Sequence, residues 1–238
     1  MEIKIYTKFH NNDLLKKYTS NKNVYTSEEK SKITNLANVK YSLKTLYSQR
    51  IIKRKENKEN LNEIIEFLKK NKIKKAISIG SSYPIQEWYI SKKSGTEIIC
   101  YDFDKTIIKN SKKIFGNKIE LKFYDINTPL TNILKNQDDC ELIFFFQSLY
   151  ILNHKQYQKY FKQLYNLNVK FIIDNTSLMK SNEIIYTYLT RIIKRILNVY
   201  LGKFNGYSKT KKTIFKIYNK SNYKLIKYHK NYFFLMRN

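Results

Sequence analysis

The chain has 238 residues, 42% of them hydrophobic and 15% aromatic, enough to bury the core of one α/β domain. Two cysteines, Cys100 and Cys140, are too few for a disulfide framework, so a reducing, cytoplasmic setting is expected. No stretch reaches the roughly 18 apolar residues of a membrane span, the opening MEIKIYTKFHNN has no apolar leader core, and no membrane partner is expected.

The formal net charge of +27 points toward a polyanion, yet only five of the 46 basic residues are arginine, the side chain best suited to forked recognition of nucleic acid. Lys, Asn, Ile, Tyr and Phe share A/T-rich codons, so genome composition is a second source of the excess. No acidic residue follows Glu183, which leaves a basic C-terminal third able to attract RNA or an anionic small molecule.

Residues 1–25 are polar and read as irregular. Thr26 and Glu29 form a T-x-x-E capping box, predicting a helix to about Arg54. KRKENKEN reads as a solvated break, and ENLNEIIEFLKKNK as a second helix with Leu61, Ile64, Ile65 and Leu68 on one face. From Lys74 strands and helices alternate. KKAISIG, TEIICYD, KIELKFYD, CELIFFFQSLY and VKFIIDN are the strands, the fourth almost wholly apolar as a central parallel strand is. Between them PIQEWYISKKSG, DKTIIKNSKKIFG and HKQYQKYFKQLYNL are helices. A further helix is predicted from about Ser181 to Leu201, with a broad apolar face and with Gly202 and Gly206 as candidate hinges. YKLIKYH and YFFLMRN, joined by Lys230-Asn231, predict an antiparallel hairpin. The fold class is therefore α/β, a Rossmann-like three-layer sandwich. Its mostly parallel sheet has seven strands, ending in the C-terminal hairpin and preceded by N-terminal helices. The predicted division is an N-terminal helical segment, 1–57, and a Rossmann-like domain, 58–238, with an insertion at about 176–208.

Ligands of open parallel sheets bind at the carboxyl ends of the strands, here Ser78–Pro84, Asp102–Asp104, Asp125-Ile126, Gln147–Tyr150 and Asp174–Ser177. Phe144–Phe146 read as core. His154 has no partner at metal-ligand spacing, and no metal site is expected.

From about Lys74 to the C-terminus, roughly two thirds of the chain, the sequence resembles the class I S-adenosylmethionine-dependent methyltransferases. Their first strand ends in an acidic-x-Gly-x-Gly-x-Gly turn. Here the turn is Ser78-Ile79-Gly80-Ser81-Ser82-Tyr83-Pro84, with Ser78 for the acid and Ser82 and Pro84 for the second and third glycines. The resemblance places Asp102 where a carboxylate accepts from the ribose hydroxyls. The alternative is capping of the next helix, for which Asp104 is better placed. It puts Asp125 at the adenine amine and Ile126 on the ring, although Asp125 also suits a plain strand-end turn. It brings Gln147, Ser148 and Tyr150 near the transferred methyl. The cofactor contacts implied are Gly80, Ser81, Ser82, Asp102, Phe103, Asp125, Ile126 and Gln147, with catalytic residues unassigned. The implied cofactor is S-adenosylmethionine and the acceptor a small metabolite or glycan precursor. An RNA acceptor and a non-catalytic methyltransferase-like scaffold are the alternatives. An NAD(P) enzyme would need glycine at Ser82 and Ile85.

Overall fold

Apolar residues alternate along the central strands and feed two separate cores, so the sheet is covered on both faces. The computed structural model describes residues 2–7, 42–124, 128–134, 137, 139–146, 148–176, 178–197 and 203–238. In chain order the strands are β1 (Glu2–Thr7), β2 (Lys75–Ile79), β3 (Glu97–Asp102), β4 (Glu120–Phe123), β5 (Leu142–Phe146), β6 (Phe171–Asn175), β7 (Lys203–Lys209), β8 (Tyr223–His229) and β9 (Tyr232–Arg237). The helices are α1 (Leu43–Tyr47), α2 (Lys55–Lys70), α3 (Ile85–Ser94), α4 (Lys105–Phe115), α5 (Thr131–Leu134), α6 (His154–Asn166), α7 (Ser181–Ile196) and α8 (Lys211–Lys220).

Seven strands form the main sheet in the order β4-β3-β2-β5-β6-β9-β8. Strands β2 to β6 are parallel, whereas β9 runs antiparallel to both β6 and β8. On one face Ala76, Cys100, Phe144, Ile173 and Phe234 pack with Leu61, Ile64 and Leu68 of α2 and Ile85 and Ile90 of α3. On the other, Ile77, Ile99, Phe145, Ile172 and Phe233 pack with Tyr157, Phe161 and Leu164 of α6 and Ile214 and Tyr218 of α8. This is the sandwich the alternation predicts. The order in which successive strands are added reverses between the parallel neighbours β2 and β5, which opens a crevice at their carboxyl ends. The hairpin turns at Lys230 (φ 42°) and Asn231 (φ 70°), the two left-handed residues of a type I′ turn.

Four expectations are corrected. Glu2–Thr7 is a strand, not an irregular segment, and pairs antiparallel with Lys203–Lys209 as a second, two-stranded sheet. Gly206 lies inside that ladder, opposite Ile5, and so is not a loop hinge. No continuous helix runs from Thr26 to Arg54. Ser42 is extended (φ −90°, ψ 160°) and caps α1 by accepting the Thr45 N–H at 3.1 Å. Thr26–Tyr41 lies outside the described residues, as does Gly202. KRKENKEN is largely helical, because α2 starts at Lys55 and Asn57 Nδ2 donates to Arg50 O at 2.7 Å across the preceding turn. Among the described residues no helix is long and apolar enough to cross a membrane.

Candidate functional site

The crevice is built from the tips of β2, β3 and β5. Beyond β2, Gly80 donates its N–H to Tyr101 O at 2.8 Å and takes φ 77°. A Cβ at this position would lie 2.3 Å from Ser148 Cβ, so glycine is required both by its backbone and by the approach of the segment after β5. Ser82 also lies in the left-handed region, at φ 52°. A side chain there costs about 1–2 kcal/mol. The conformation is held by the Ser82 N–H, which donates to Asp102 Oδ2 at 2.8 Å.

Asp102 ends β3 and is 5% exposed. Its Oδ1 accepts the Asp104 N–H at 2.9 Å. Burial raises its pKa, opposed by the N–H groups of Asp104 and Ser82. Asp104 is the N-cap of α4, with Oδ1 accepting from Thr106 N at 2.8 Å and Ile107 N at 3.2 Å. Asp104 thus caps α4 as its position predicts, while Asp102 holds the turn after β2.

Ser148 and Tyr150 reach the same place from β5. The Ser148 Oγ is buried and makes no hydrogen bond among the described residues. Burial and then the charge of Asp102 raise the Tyr150 hydroxyl pKa, which places the phenol near that carboxylate. Contacts therefore join Gly80 to Ser148 and Ser82 to Asp102, with Tyr150 within the influence of the Asp102 charge and Phe103 half-buried. Asp125, Ile126 and Gln147 lie outside the described residues. Phe144 and Phe145 are core, and His154 is exposed at the start of α6.

Two further carboxyl groups are buried: Glu87, which the sequence reading does not single out, and Asp174, expected at the strand-end crevice but lying in the core. Glu87, in the first turn of α3, is 2% exposed and accepts the Ser78 hydroxyl at 2.8 Å. Ser81 Oγ in turn donates to Ser78 Oγ at 2.9 Å. Burial pushes the pKa of Glu87 up to about 7, against its own backbone N–H, the two serines and the more distant charge of Arg50. Its spacing of three from Ile90 put it on the buried face, which was the available signal.

Asp174 in β6 is fully buried and receives hydrogen bonds from the hydroxyls of Tyr157 and, at 2.6 Å, Tyr218. Burial pushes its pKa up to about 6, opposed by both tyrosines and by the charge of Lys209. Lys209 is itself 1% exposed, donates to Leu152 O at 2.7 Å and lies 5.2 Å from the Tyr157 ring centroid. It therefore belongs to the interior and not to the basic surface field. The period of two from Ile172 marked Asp174 as inward-facing. Together these groups tie the segment after β5 and the end of β7 to the sheet. Among the described residues no three His, Cys, Asp or Glu side chains could hold a metal ion.

No protein-family profile matches the chain, and no curated protein sequence matches it. Solved structures do. Magnesium protoporphyrin IX methyltransferase from Synechocystis PCC 6803, with bound S-adenosylhomocysteine, superposes with a TM-score of 0.54 at 9% identity, over 95% of this chain and 94% of that one. Human N-acetylserotonin methyltransferase with S-adenosylmethionine gives 0.51 at 12% identity, over 96% and 65%. A Rhodobacter sphaeroides protein described as a putative zinc-dependent alcohol dehydrogenase gives 0.52 at 9%, over 69% and 84%. At such identities the likeness concerns architecture, which spans different chemistries. The strand order, the closing hairpin and these superpositions together show that the chain has the Rossmann-like fold of the class I S-adenosylmethionine-dependent methyltransferases.

Proposed function

We propose that the chain is an S-adenosylmethionine-dependent methyltransferase acting on a small metabolite or glycan precursor. The observation that carries this reading is the Gly80–Ser82 turn, left-handed at both Gly80 and Ser82 and tied by the Ser82 N–H to Asp102. Ser82 keeps the backbone form that the family's second glycine permits, so its substitution does not remove the cradle. Pro84 stands at the N-cap of α3, where a missing N–H leaves no helical hydrogen bond unmade. Each Asp102 oxygen accepts one backbone N–H and retains a lone pair for a ribose hydroxyl. Gly80, Ser81, Ser82, Asp102 and Phe103, with Asp125, Ile126 and Gln147, are the residues we assign to the cofactor.

When bound, the cofactor supplies a methyl group already activated as a sulfonium. The protein's task is then to hold an acceptor in line with it and to exclude water, and a general base is optional. Ser148 and Tyr150 face this position. Residues 1–57 and the insertion at about 176–208 are read as additions on the acceptor side of the 58–238 domain. The pairing of β1 with β7 supports treating them as one unit. Two free thiols, Cys100 buried and Cys140 partly so, favour a cytoplasmic site of action. The basic C-terminal third favours RNA as the second acceptor class.

A thermal-shift series with S-adenosylmethionine, S-adenosylhomocysteine, NAD and NADP tests the reading. A ligand at about 100 times its dissociation constant stabilises by roughly 2.7 kcal/mol, which moves the melting point by about 5–10 °C in a domain of this size. Shifts with the two S-adenosyl compounds alone are expected. A shift with a nicotinamide cofactor alone would overturn the proposal in favour of an oxidoreductase, and none at all would leave a non-catalytic scaffold.

A further inference from the structure

Beneath the turn lies a buried carboxyl group with no ion-pair partner among the described residues. Glu87 points from α3 into the protein, and among the described residues no Lys, Arg or His is within ion-pair distance of it. An acid in the first turn of a helix gains from the helix dipole when exposed, so that role alone gives no reason to bury it. Its carboxylate accepts the hydroxyl of Ser78, near the end of the strand that leads into the turn, and Ser78 accepts from Ser81, which lies between Gly80 and Ser82. The carboxyl group is thus two hydrogen bonds from the backbone that would cradle a ligand.

We propose that Glu87 is a specificity-determining residue of the cofactor site, a buried anion that favours the cationic sulfonium cofactor over its neutral thioether product. This rests on the reading of the Gly80–Ser82 turn as an S-adenosylmethionine site. An uncompensated buried carboxylate is costly, and a cation bound on the turn offsets that cost, whereas a ligand of the same shape without the charge does not. The turn therefore binds substrate more tightly than product whenever Glu87 is ionised, and the preference fades when it is protonated.

Cys100, Tyr232 and Arg50 face Glu87, and Asp102, whose own pKa burial raises, acts with it on Cys100. Cys100 of β3 is held well above its ordinary pKa, mainly by burial and next by the charge of Glu87 itself. Tyr232 of β9 is pushed up to about 12, first by burial. The charge of Arg50, before α2, is the smallest of the influences that lower the pKa of Glu87. Burial pushes Glu87 up to about 7, which places the change of state inside the physiological interval. Binding of the sulfonium cofactor should therefore expel part of a proton from Glu87 to solvent, and binding of the thioether should not.

Calorimetric titration of the wild type and Glu87→Gln with S-adenosylmethionine and S-adenosylhomocysteine tests this. It is run in two buffers of different ionisation enthalpy, between about pH 5.5 and 7, below the midpoint of about 7.7–8.0 for the cofactor's own amino group. In the wild type the ratio of the two affinities should rise by about three- to tenfold across the interval, with proton release on S-adenosylmethionine binding only. In Glu87→Gln the ratio should be flat and the release absent. A wild-type ratio that does not change with pH, or one that changes equally in Glu87→Gln, overturns the role of Glu87 while leaving the cofactor site intact. A wild type that binds neither compound overturns the cofactor reading and this inference with it. Melting curves of the variant separate a folding defect from a loss of preference.

Discussion

Gly80 meets two constraints at once, a left-handed backbone and a neighbour 2.3 Å from where its Cβ would stand. Gly80→Ala should therefore destabilise by at least about 3 kcal/mol, more than the backbone term of about 1–2 kcal/mol alone. Ser148→Gly removes the opposing Cβ, so the double variant should recover the excess and keep the backbone term. Denaturant melts of the four proteins in the cycle measure it, and strict additivity would show that the two residues do not touch. A second prediction follows from burial. Glu87 has a pKa raised to about 7 from 4.5, so the stability linked to its proton is complete below about pH 4.5 and is lost as pH rises through about 7. Glu87→Gln carries no such charge and should gain on the wild type by about 2–3 kcal/mol between about pH 5 and pH 8. Thermal melts that track in parallel across that range would contradict it. At this scale the sequence showed Gly80 at the tip of β2 and Asp104 as the cap of α4. It hid Glu87 and put Asp174 in the crevice and not in the core, because their partners Ser78, Tyr157 and Tyr218 are ordinary residues made significant only by packing.

The hairpin was legible because β8 and β9 are neighbours in sequence and their two-residue connection admits few turn types. Lys230 sits at φ 42° without the local hydrogen bonding that lets Asn tolerate such a backbone. Lys230→Asn combined with Asn231→Gly should stabilise by about 0.5–1 kcal/mol, net of the exposed Lys230–Glu59 pair at 2.9 Å. A lower denaturant midpoint would count against a type I′ turn. The pairing of β1 with β7 was not legible. It joins segments about 200 residues apart, and six residues of E-I-K-I-Y-T carry too little pattern to announce a partner. Helix α7 was anticipated, but it lies with Ile184 at 2% exposure while Leu189 and Ile193 stand at 52% and 55%. Ile184→Ala should cost about 2–4 kcal/mol and Ile193→Ala less than about 1 kcal/mol. Equal losses in chemical denaturation would show that the outer face is packed.

Across the whole molecule, alternation of strand and helix sufficed for the fold, because a parallel sheet with crossover helices has few topologies. Charge is less uniform than the composition suggests. Lys209 is buried, Lys227 and Lys230 pair with Glu63 and Glu59, and Arg237 stacks 4.4 Å from the Tyr165 ring centroid. A field thinned in this way should hold generic RNA weakly and release it at about 200 mM salt, whereas retention there would favour the RNA acceptor. We propose that the tips of β2 and β3 hold an S-adenosyl cofactor through Asp102. Calorimetry with S-adenosylhomocysteine on the wild type, Asp102→Asn and Asp102→Ala addresses it directly. Charge-assisted hydrogen bonds of about 1.5–3 kcal/mol each predict at least a tenfold loss for Asp102→Ala and a smaller one for Asp102→Asn, with α4 still capped by Asp104. Equal affinity in all three proteins, or no binding by the wild type, would contradict it.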